Sequence, residues 1–487
     1  MRKVLCFATA AMALAALAAP TVSGIRFTRD AKTDLVRVDY AVADEPAVVT
    51  AAFNVNGSPV AENLYTNLSG EVNCLVQPGQ HRFVLKTGPD WTFPDRDVEV
   101  VVRAWATNAP PDYIVFDLPS RGAVPPKYYV STNAFPAPLS DIRYRTSQLV
   151  MRRIPAANVE FRMGAPTDEC GSESDGSITD SGALVAGRSR WAVLSEDYYL
   201  GIYPVTYAQQ TNAVANFSTG FWSNDGNPYK DVRRDDWPVS GFSYLTVRCA
   251  AHEDKCQGPG SAGFVDYPFW PRDGHRIDVD IKRCSCRTAG ANETSFLGYW
   301  RSRYGFSFDL PTEAQWEFAC RAGTRGPCYV QPERADAIAS GSTTWMEALD
   351  ACAWTLRNCT NATVNAPTAQ SVGQLRPNAF GLYDMLGNVA EWCLDLSTRA
   401  VIPERADPVT DPVGADPRLG FGVSRLDMPI LKGGCFFSKP QFVNASARVQ
   451  ICTFYANQSF RNGPNLPAGI GNWAGGYRLA LPCHAVR

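Results

Sequence analysis

Hydrophobic and polar residues alternate in the N-terminal part of the chain. The pattern runs through DLVRVDYAV (34–42), VVTAAFNV (48–55), HRFVLKTG (81–88) and RDVEVVVRAWA (96–106). These runs are rich in β-branched residues, and the turn signals Asn56-Gly57 and Pro78-Gly79 lie between them. Residues 25–106 are therefore predicted to form an antiparallel β-sandwich. A Pro-rich connector, residues 107–148, follows and contains a further candidate strand at 113–118.

The pattern changes at Leu149 to long irregular segments with scattered helices. One helix is predicted to include residues 245–251. A second is predicted over 312–321, because Pro311-Thr312-Glu313 is typical of a helix N-terminus. Its predicted apolar face consists of Ala314, Trp316, Phe318 and Ala319. Residues 252–291 interrupt the domain as a surface excursion that carries Cys256, Cys284 and Cys286. Residues 149–487 are predicted to form one domain.

Composition and charge narrow the class of protein. The chain has 487 residues, of which 45% are hydrophobic and 19% charged, which is typical of a globular protein. Its net charge of −2 argues against nucleic acid or an anionic membrane as partner. Residues 1–24 have the basic start, short apolar run and small residues of a signal peptide. We therefore expect a protein that is secreted, periplasmic or in the cell envelope, without a transmembrane segment.

Cysteine usage supports an oxidising compartment. The chain has 15 cysteines, and an even number remains once Cys6 is removed with the leader. Disulfides are predicted, with Cys320–Cys328 and Cys352–Cys359 as local candidates. Cys284-Ser285-Cys286 could instead clip a metal ion, but the chain has only 4 His to complete a zinc site.

Several motifs occur in a fixed order between Leu149 and Leu481. They are RIP (153–155), FRMG (161–164), YYLGIYPVT (198–206), WPV (237–239), FDLPTEAQWEFACRAG (308–323), NAFGLYDMLGNVAEW (378–392), GG (433–434) and GGYRL (475–479). This series resembles the sulfatase-modifying-factor family, the formylglycine-generating enzymes. Pro204 departs from it, since the family usually has Glu there. The resemblance implies an α+β fold, irregular and C-type-lectin-like, after the all-β sandwich domain.

The resemblance also implies a calcium site in the 378–392 motif. The family binds calcium with the side chains that match Asp384 and Glu391 and the carbonyls that match Gly387 and Val389. Carboxylates and carbonyls are the oxygen ligands that calcium prefers. The alternative is that Asp384 caps a turn and Glu391 pairs with an arginine. On the strength of the resemblance, a structural calcium ion is predicted.

The catalytic cysteines of the family are missing. Active members hold Cu(I) with two thiolates, and the matching positions here are Ser438 and Val443. A hydroxyl is a poor ligand for this soft ion, and a valine side chain is none. Cys435 is predicted to face away from Ser438 if the segment is a strand, and Cys452 lies too far along the chain. The 4 His are too scattered for the iron-binding branch of the family. The sequence therefore predicts neither copper nor oxidase activity.

The segment 444–473 is rich in amide, aromatic and Arg side chains, as recognition surfaces are. The candidate ligand-binding residues are Asn444, Arg448, Tyr455, Asn457, Asn472 and Trp473. The alternative is that these residues pack the loop itself. The predicted function is binding of an unknown protein, peptide or glycan by a catalytically degenerate family member. The enzymatic alternative is oxidation of a sulfatase cysteine to formylglycine.

Overall fold

The chain forms two compact units, Met1–Pro110 and Pro111–Arg487. The computed structural model describes residues 19–30, 32–119, 124–164, 190–214, 232–242, 247–248, 295–326, 328–330, 343–397, 408–412, 428–440, 443–450 and 475–483. Within these ranges, no helix is both long and apolar enough to span a bilayer. The predicted helix at 245–251 and the predicted excursion at 252–291 lie almost wholly outside the described residues.

Among its described residues, the first unit has eight strands and two short 3-10 helices, Glu62–Tyr65 and Asp95–Asp97. The strands are β1 (Thr21–Asp30), β2 (Leu35–Ala43), β3 (Ala47–Val55), β4 (Ser58–Pro59), β5 (Leu68–Gly70), β6 (Cys74–Val76), β7 (Gly79–Lys86) and β8 (Val98–Ala106). One antiparallel sheet has the order β1-β2-β7-β5. In the other sheet β3 is central, with β8 along one side and β4 and β6 along the other.

The alternating pattern of this unit has a direct structural cause. In β2, Val36, Val38 and Tyr40 are fully buried, whereas the residues between them are exposed or half-buried. They share one core with residues of both sheets, among them Phe53 and Phe83. An all-β N-terminal unit is therefore what the alternation predicts, because successive side chains in a strand point to opposite faces.

Two local features of the first unit bear on its ends and turns. Asn56 and Gly57 both have positive φ, 51° and 76°, as a tight hairpin turn between β3 and β4 requires. β1 begins at Thr21, inside the predicted leader of residues 1–24, and Thr21 pairs with Ala43. A cleavage site just before Thr21 would leave β1 whole.

In the part of the second unit that the structure describes, small sheets are mixed with five α-helices and a 3-10 turn at Thr132–Ala134. Its strands are β9 (Tyr113–Asp117), β10 (Lys127–Tyr129), β11 (Gln148–Ile154), β12 (Glu160–Met163), β13 (Arg190–Val193), β14 (Tyr198–Gly201), β15 (Ala353–Trp354), β16 (Thr360–Asn361), β17 (Ala366–Pro367), β18 (Leu386–Gly387), β19 (Ala390–Ser397), β20 (Val409–Thr410), β21 (Met428–Lys432), β22 (Arg448–Gln450), β23 (Gly475–Gly476) and β24 (Ala480–Pro482). Its helices are α1 (Arg143–Thr146), α2 (Tyr207–Ala213), α3 (Phe296–Tyr304), α4 (Glu313–Arg321) and α5 (Thr343–Asp350).

Among the sheets that the structure describes in this unit, the one with the most strands has the order β10-β9-β11-β14-β24. All its neighbouring strands are antiparallel. β9 and β10 come from residues 107–148, which were predicted to be a connector. The predicted strand at 113–118 is β9. It pairs with β11, and its residues Ile114, Val115 and Phe116 are buried. Residues from 111 onward are thus part of the second unit.

Helix α4 and the sheet β22-β21-β19-β23 hold the region where the sequence motifs meet. The predicted helix at 312–321 is confirmed as α4, with Thr312 as its N-cap. The Thr312 hydroxyl accepts from the Gln315 amide, and the Gln315 side chain accepts from the Thr312 amide. Every residue of α4 is buried, including Glu313 and Glu317. A helix that is buried on all sides must satisfy its charged side chains within the protein.

Candidate functional site

The motif 378–392 forms a turn that is tied to the end of α4. Asn378 Oδ1 accepts from the amides of Phe380 and Leu382 at 3.0 and 3.1 Å. Its Nδ2 donates to the carbonyls of Ala319 and Cys320, the last turn of the helix, at 2.7 and 3.1 Å. One asparagine side chain thus satisfies two orphan helix carbonyls and also fixes the start of the turn.

Asp384 lies inside this turn with a positive φ of 52° and is 3% exposed. Its Oδ2 accepts from the Gly373 amide at 2.7 Å, and its Oδ1 accepts from Asn388 Nδ2 at 3.3 Å. Burial raises the pKa of the Asp384 carboxyl to about 6, although these hydrogen bonds oppose the shift. Asp384 therefore acts as a turn cap that carries a substantial desolvation cost.

Gly387 and Asn388 bring the turn into close contact with β15. Gly387 has a φ of 71°, and a Cβ there would lie 2.8 Å from the Trp354 nitrogen and closer still to the Trp354 carbonyl oxygen. The Asn388 amide donates to that same carbonyl at 2.8 Å. Only glycine fits at 387, because both the backbone conformation and the space exclude a side chain.

Glu391 lies on β19, and both oxygens of its carboxylate accept hydrogen bonds from nitrogen donors. Trp316 Nε1 donates to Oε2 at 2.7 Å, and Arg478 donates to Oε1 from Nη2 at 2.8 Å and to Oε2 from Nε at 3.1 Å. Arg478 also donates to the carbonyls of Gly201 and Tyr383, both at 2.7 Å. Glu391 and Arg478 are 1% and 0% exposed, so this is a buried, charge-assisted clasp.

Of the predicted calcium ligands, the Glu391 carboxylate is already used by Arg478 and Trp316. These contacts are the turn cap and arginine pair that were the alternative to a metal site. Among the described residues, no group of three or more His, Cys, Asp or Glu side chains is arranged to hold a metal ion. Asp384 offers a carboxylate of the kind that a hard cation prefers, while Glu391 could join it only if Arg478 moved away. Calcium binding stays a prediction.

The structure brings Ser438 and Val443 to one point. A Cβ built on Gly434 would lie 2.9 Å from Val443 Cγ2 and 3.4 Å from Ser438 Oγ. Val443 is fully buried, and Ser438 is half-buried. The two positions where the family resemblance places thiolates are therefore neighbours across a glycine turn, and neither carries sulfur.

The prediction that Cys435 faces away from Ser438 is wrong. The segment is a turn and not a strand: the Ser438 amide donates to the Cys435 carbonyl at 2.8 Å, and the Cys435 amide donates to Ser438 Oγ at 3.0 Å. Cys435 Sγ therefore lies 3.4 Å from Ser438 Oγ. A second thiol, Cys359, donates to the carbonyl of Phe436 at 3.0 Å. Sequence reasoning missed both neighbours because turn geometry is not visible in residue spacing.

Burial keeps these two thiols in the protonated form. It raises the pKa of Cys359 to about 12 and raises that of Cys435 as well, although the Ser438 hydrogen bonds oppose the second shift. The thiolate is the form of cysteine that binds metals and attacks electrophiles.

Of the six candidate ligand-binding residues, the structure describes only Asn444 and Arg448. Arg448 is 5% exposed and donates to Glu313 Oε1 and Oε2 at 2.5 and 2.6 Å, so its guanidinium serves the interior and not a ligand surface. Asn444 accepts from the amides of Ser446 and Ala447 at 3.1 and 2.7 Å, which organises its own turn. The other four candidates, Tyr455, Asn457, Asn472 and Trp473, lie outside the described residues.

Arg448 belongs to a buried charge cluster that sequence reasoning did not find. Lys432 Nζ lies 3.0 Å from Glu317 Oε2 and 3.4 Å from Glu313 Oε1, and Arg321 donates to Glu317 Oε1 at 2.8 Å. The two glutamates are one helical turn apart on α4, so both face the same strands, β21 and β22. The one available signal was the presence of two glutamates one turn apart in a helix with a predicted apolar face.

The sheets, the buried helix and the glycine turns define the second unit as an α+β domain of the C-type-lectin-like class. The chain belongs to the family of the sulfatase-modifying factor enzyme 1-like domain, whose model matches residues 154–461. It is 25% identical over 232 residues to "Chaperone protein LppX" of Paenibacillus barcinonensis, covering 47% of this chain and 73% of that protein. It is 31% identical over 137 residues to a formylglycine-generating enzyme of Streptomyces coelicolor, covering 28% of this chain and 38% of the enzyme.

The chain thus spans well under half the length of that enzyme. Among solved structures, Treponema denticola variable protein 1 is similar, with a TM-score of 0.37 and 19% identity, over 69% of this chain and 95% of that one.

Proposed function

We propose that this chain is an exported, polypeptide-binding member of its family that does not oxidise cysteine. The observation that carries the proposal is the chemistry of the point where Gly434, Ser438 and Val443 meet. The groups there are the Ser438 hydroxyl and the Val443 isopropyl group. Ser438 Oγ and Val443 Cγ2 lie 3.4 and 2.9 Å from where a Cβ on Gly434 would be. Two thiolates are what a Cu(I) ion needs, and neither side chain supplies one.

The two nearby thiols do not replace the missing pair. Cys435 is hydrogen-bonded to Ser438, and Cys359 to the Phe436 carbonyl. Because burial raises both pKa values, deprotonation by a metal would have to overcome the desolvation of the thiolate. The family scaffold is therefore retained around a point without redox chemistry.

A polypeptide is the favoured ligand class for two reasons. The relative with which this chain aligns over 73% of its length is described as a chaperone protein. The formylglycine-generating enzymes that it resembles act on a cysteine in another protein. The sequence of 444–473 supplies aromatic and amide side chains suited to recognition, with Tyr455, Asn457, Asn472 and Trp473 as proposed contacts.

The oxidase alternative is tested with a synthetic Cys-x-Pro-x-Arg peptide. The protein is incubated with this peptide, copper, oxygen and a reductant, and the peptide is analysed by mass spectrometry. We expect an unchanged thiol. Loss of the thiol with appearance of an aldehyde would contradict the proposal, and loss of that activity in Cys435→Ser would then assign the ligand. Ser438→Cys with Val443→Cys is the matched gain-of-thiol variant, expected to bind copper where the wild type does not.

The binding face is tested with immobilised peptide and glycan arrays probed with the purified protein. We expect retention on peptides, and loss of at least tenfold in affinity when Tyr455 and Trp473 are both replaced by alanine. Trp191→Ala on β13 is the control, because Trp191 is 39% exposed and lies outside 444–473. Retention on glycans alone, or peptide binding that is unaffected by the double variant, would refute the assignment.

A further inference from the structure

Cys328 and Cys352 lie with their sulfur atoms in contact. The two Sγ atoms are 3.3 Å apart, and the residues are 1% and 0% exposed. Cys328 follows α4, whereas Cys352 lies between α5 and β15. Both cysteines are held in place by neighbours, since the Tyr329 hydroxyl donates to the Cys352 carbonyl at 3.2 Å.

We propose that Cys328 and Cys352 form a disulfide bond. A disulfide has a sulfur–sulfur distance of about 2.05 Å, so closure needs a shift of about 1 Å, within the reach of χ1 rotation. In the reaction, both S–H bonds break, the two sulfurs lose two electrons and form one S–S bond, and two protons are released. The oxidant is a second disulfide, of low molecular weight or in an oxidoreductase, which is reduced to two thiols by exchange.

The exchange has two steps. One thiol of the pair attacks the external disulfide to form a mixed disulfide, and the other thiol, which the fold brings close, then displaces the external thiol. Both sulfurs are buried in the folded unit, so the bond forms while the chain folds and not afterwards.

This pairing replaces the two that the sequence suggested. The structure records Cys320, Cys328, Cys352 and Cys359 as free thiols. Cys359 donates to the Phe436 carbonyl at 3.0 Å, on the side of the Gly433–Gly434 turn, and not to Cys352. Cys320 lies on α4, in the same core as Cys328 and Cys352. Sequence proximity favoured Cys320–Cys328 and Cys352–Cys359, but the fold brings together the two residues that are 24 positions apart.

The bond would fasten the turn that carries Asp384 and Gly387. It closes a loop that contains α5 and ends at β15, which pairs with β18. The carbonyl of Trp354 in β15 accepts from the Asn388 amide at 2.8 Å. Residues 352 and 354 are two apart, so a covalent anchor at Cys352 limits how far the Trp354 carbonyl can move from the turn.

Trypsin separates the relevant cysteines, which makes the test direct. Cleavage after Arg325, Arg334 and Arg357 leaves Cys328 in the peptide 326–334 and Cys352 in the peptide 335–357. The protein, produced in an oxidising compartment, is denatured with alkylating agent and without reductant, then digested and analysed by mass spectrometry. We expect 326–334 linked to 335–357. A link from 326–334 to the peptide with Cys320, a link from 335–357 to the peptide with Cys359, or recovery of both peptides alkylated would overturn the proposal.

Variants give a second readout. Cys328→Ser with Cys352→Ser is expected to lower the melting temperature by roughly 3–5 °C under non-reducing conditions, the range for losing one disulfide in a unit of this size. Cys359→Ser is the control, and its digest should show the 328–352 link unchanged. If the double variant has the same melting temperature as the wild type under non-reducing conditions, the bond does not stabilise this unit and the proposal fails.

Discussion

Replacing Glu313 with glutamine should destabilise the second unit by about 3 kcal/mol. Glu313 is 1% exposed at the first turn of α4 and receives both Arg448 nitrogens, with Lys432 Nζ 3.4 Å away. Burial alone would raise the pKa of Glu313, but Arg448 and Lys432 outweigh it and lower the pKa to about 2. The substitution removes the charge and leaves the Arg448 guanidinium buried without its anion.

Two independent routes give the same magnitude. A pKa lowered from 4.5 to about 2 corresponds to roughly 3 kcal/mol of stability at neutral pH. Removing one member of a buried ion pair costs about 3–5 kcal/mol in other proteins. Because the folded-state pKa of Glu313 is depressed, its contribution is complete above pH 4.5 and is lost as pH falls through 2. At pH 3 about 1.4 kcal/mol should remain.

The assay uses a thiol in the same helix. Cys320 on α4 is fully buried, so it reacts with a maleimide only when the second unit opens. A loss of about 3 kcal/mol should raise its labelling rate at pH 7 roughly 100-fold. Glu347→Gln on α5 is the control, because Glu347 is exposed, and it should leave the rate within about twofold.

Urea unfolding at pH 7 and pH 3 gives the second measurement. The difference in stability between wild type and Glu313→Gln should shrink to less than half at pH 3. A labelling rate raised less than fivefold, or a difference that does not change with pH, would refute the reasoning. It would mean that Arg448 and Lys432 do not depress the pKa of Glu313 as their distances imply.

Two further predictions concern the 378–392 turn. Gly387→Ala should lower the melting temperature by several degrees more than Gly323→Ala, because both glycines have positive φ but only the first has backbone atoms where the Cβ would go; equal shifts would contradict the close approach to Trp354. Calcium should raise the melting temperature if Asp384 and Glu391 bind it together, since a ligand of the folded state stabilises that state. If chelator leaves the melting curve unchanged and elemental analysis finds no calcium, the calcium prediction is wrong. Glu391 would then be paired with Arg478 and not with a calcium ion.

Sequence reasoning found the elements whose signals are local. Helix α4 was predictable because Pro311-Thr312-Glu313 is typical of a helix N-terminus, and the structure shows Thr312 as its N-cap. The turn at Asn56-Gly57 was predictable because both residues tolerate positive φ. In each case the residues that carry the signal are the residues that make the contact.

The errors arose where contacts join distant parts of the chain. Arg448 has the composition of a binding residue, but its partner Glu313 lies 135 residues away, so its burial could not be read from its neighbours. Cys435 was misplaced because a hydrogen-bonded turn, and not a strand, connects it with Ser438. The residues before Leu149 were predicted as a connector because proline dominates them, although β9 supplies a buried strand next to β11.

The pairing of β14 with β24 has a consequence for how the protein is made. Tyr198, Tyr199 and Leu200 pair with β24, and Arg478 donates to the Gly201 carbonyl across 277 residues. The five-stranded sheet and the Glu391–Arg478 clasp are therefore incomplete until residues 478–482 have been synthesised. Until then β14 has no β24 to pair with, so removal of residues 475–483 should be more damaging than their small number suggests.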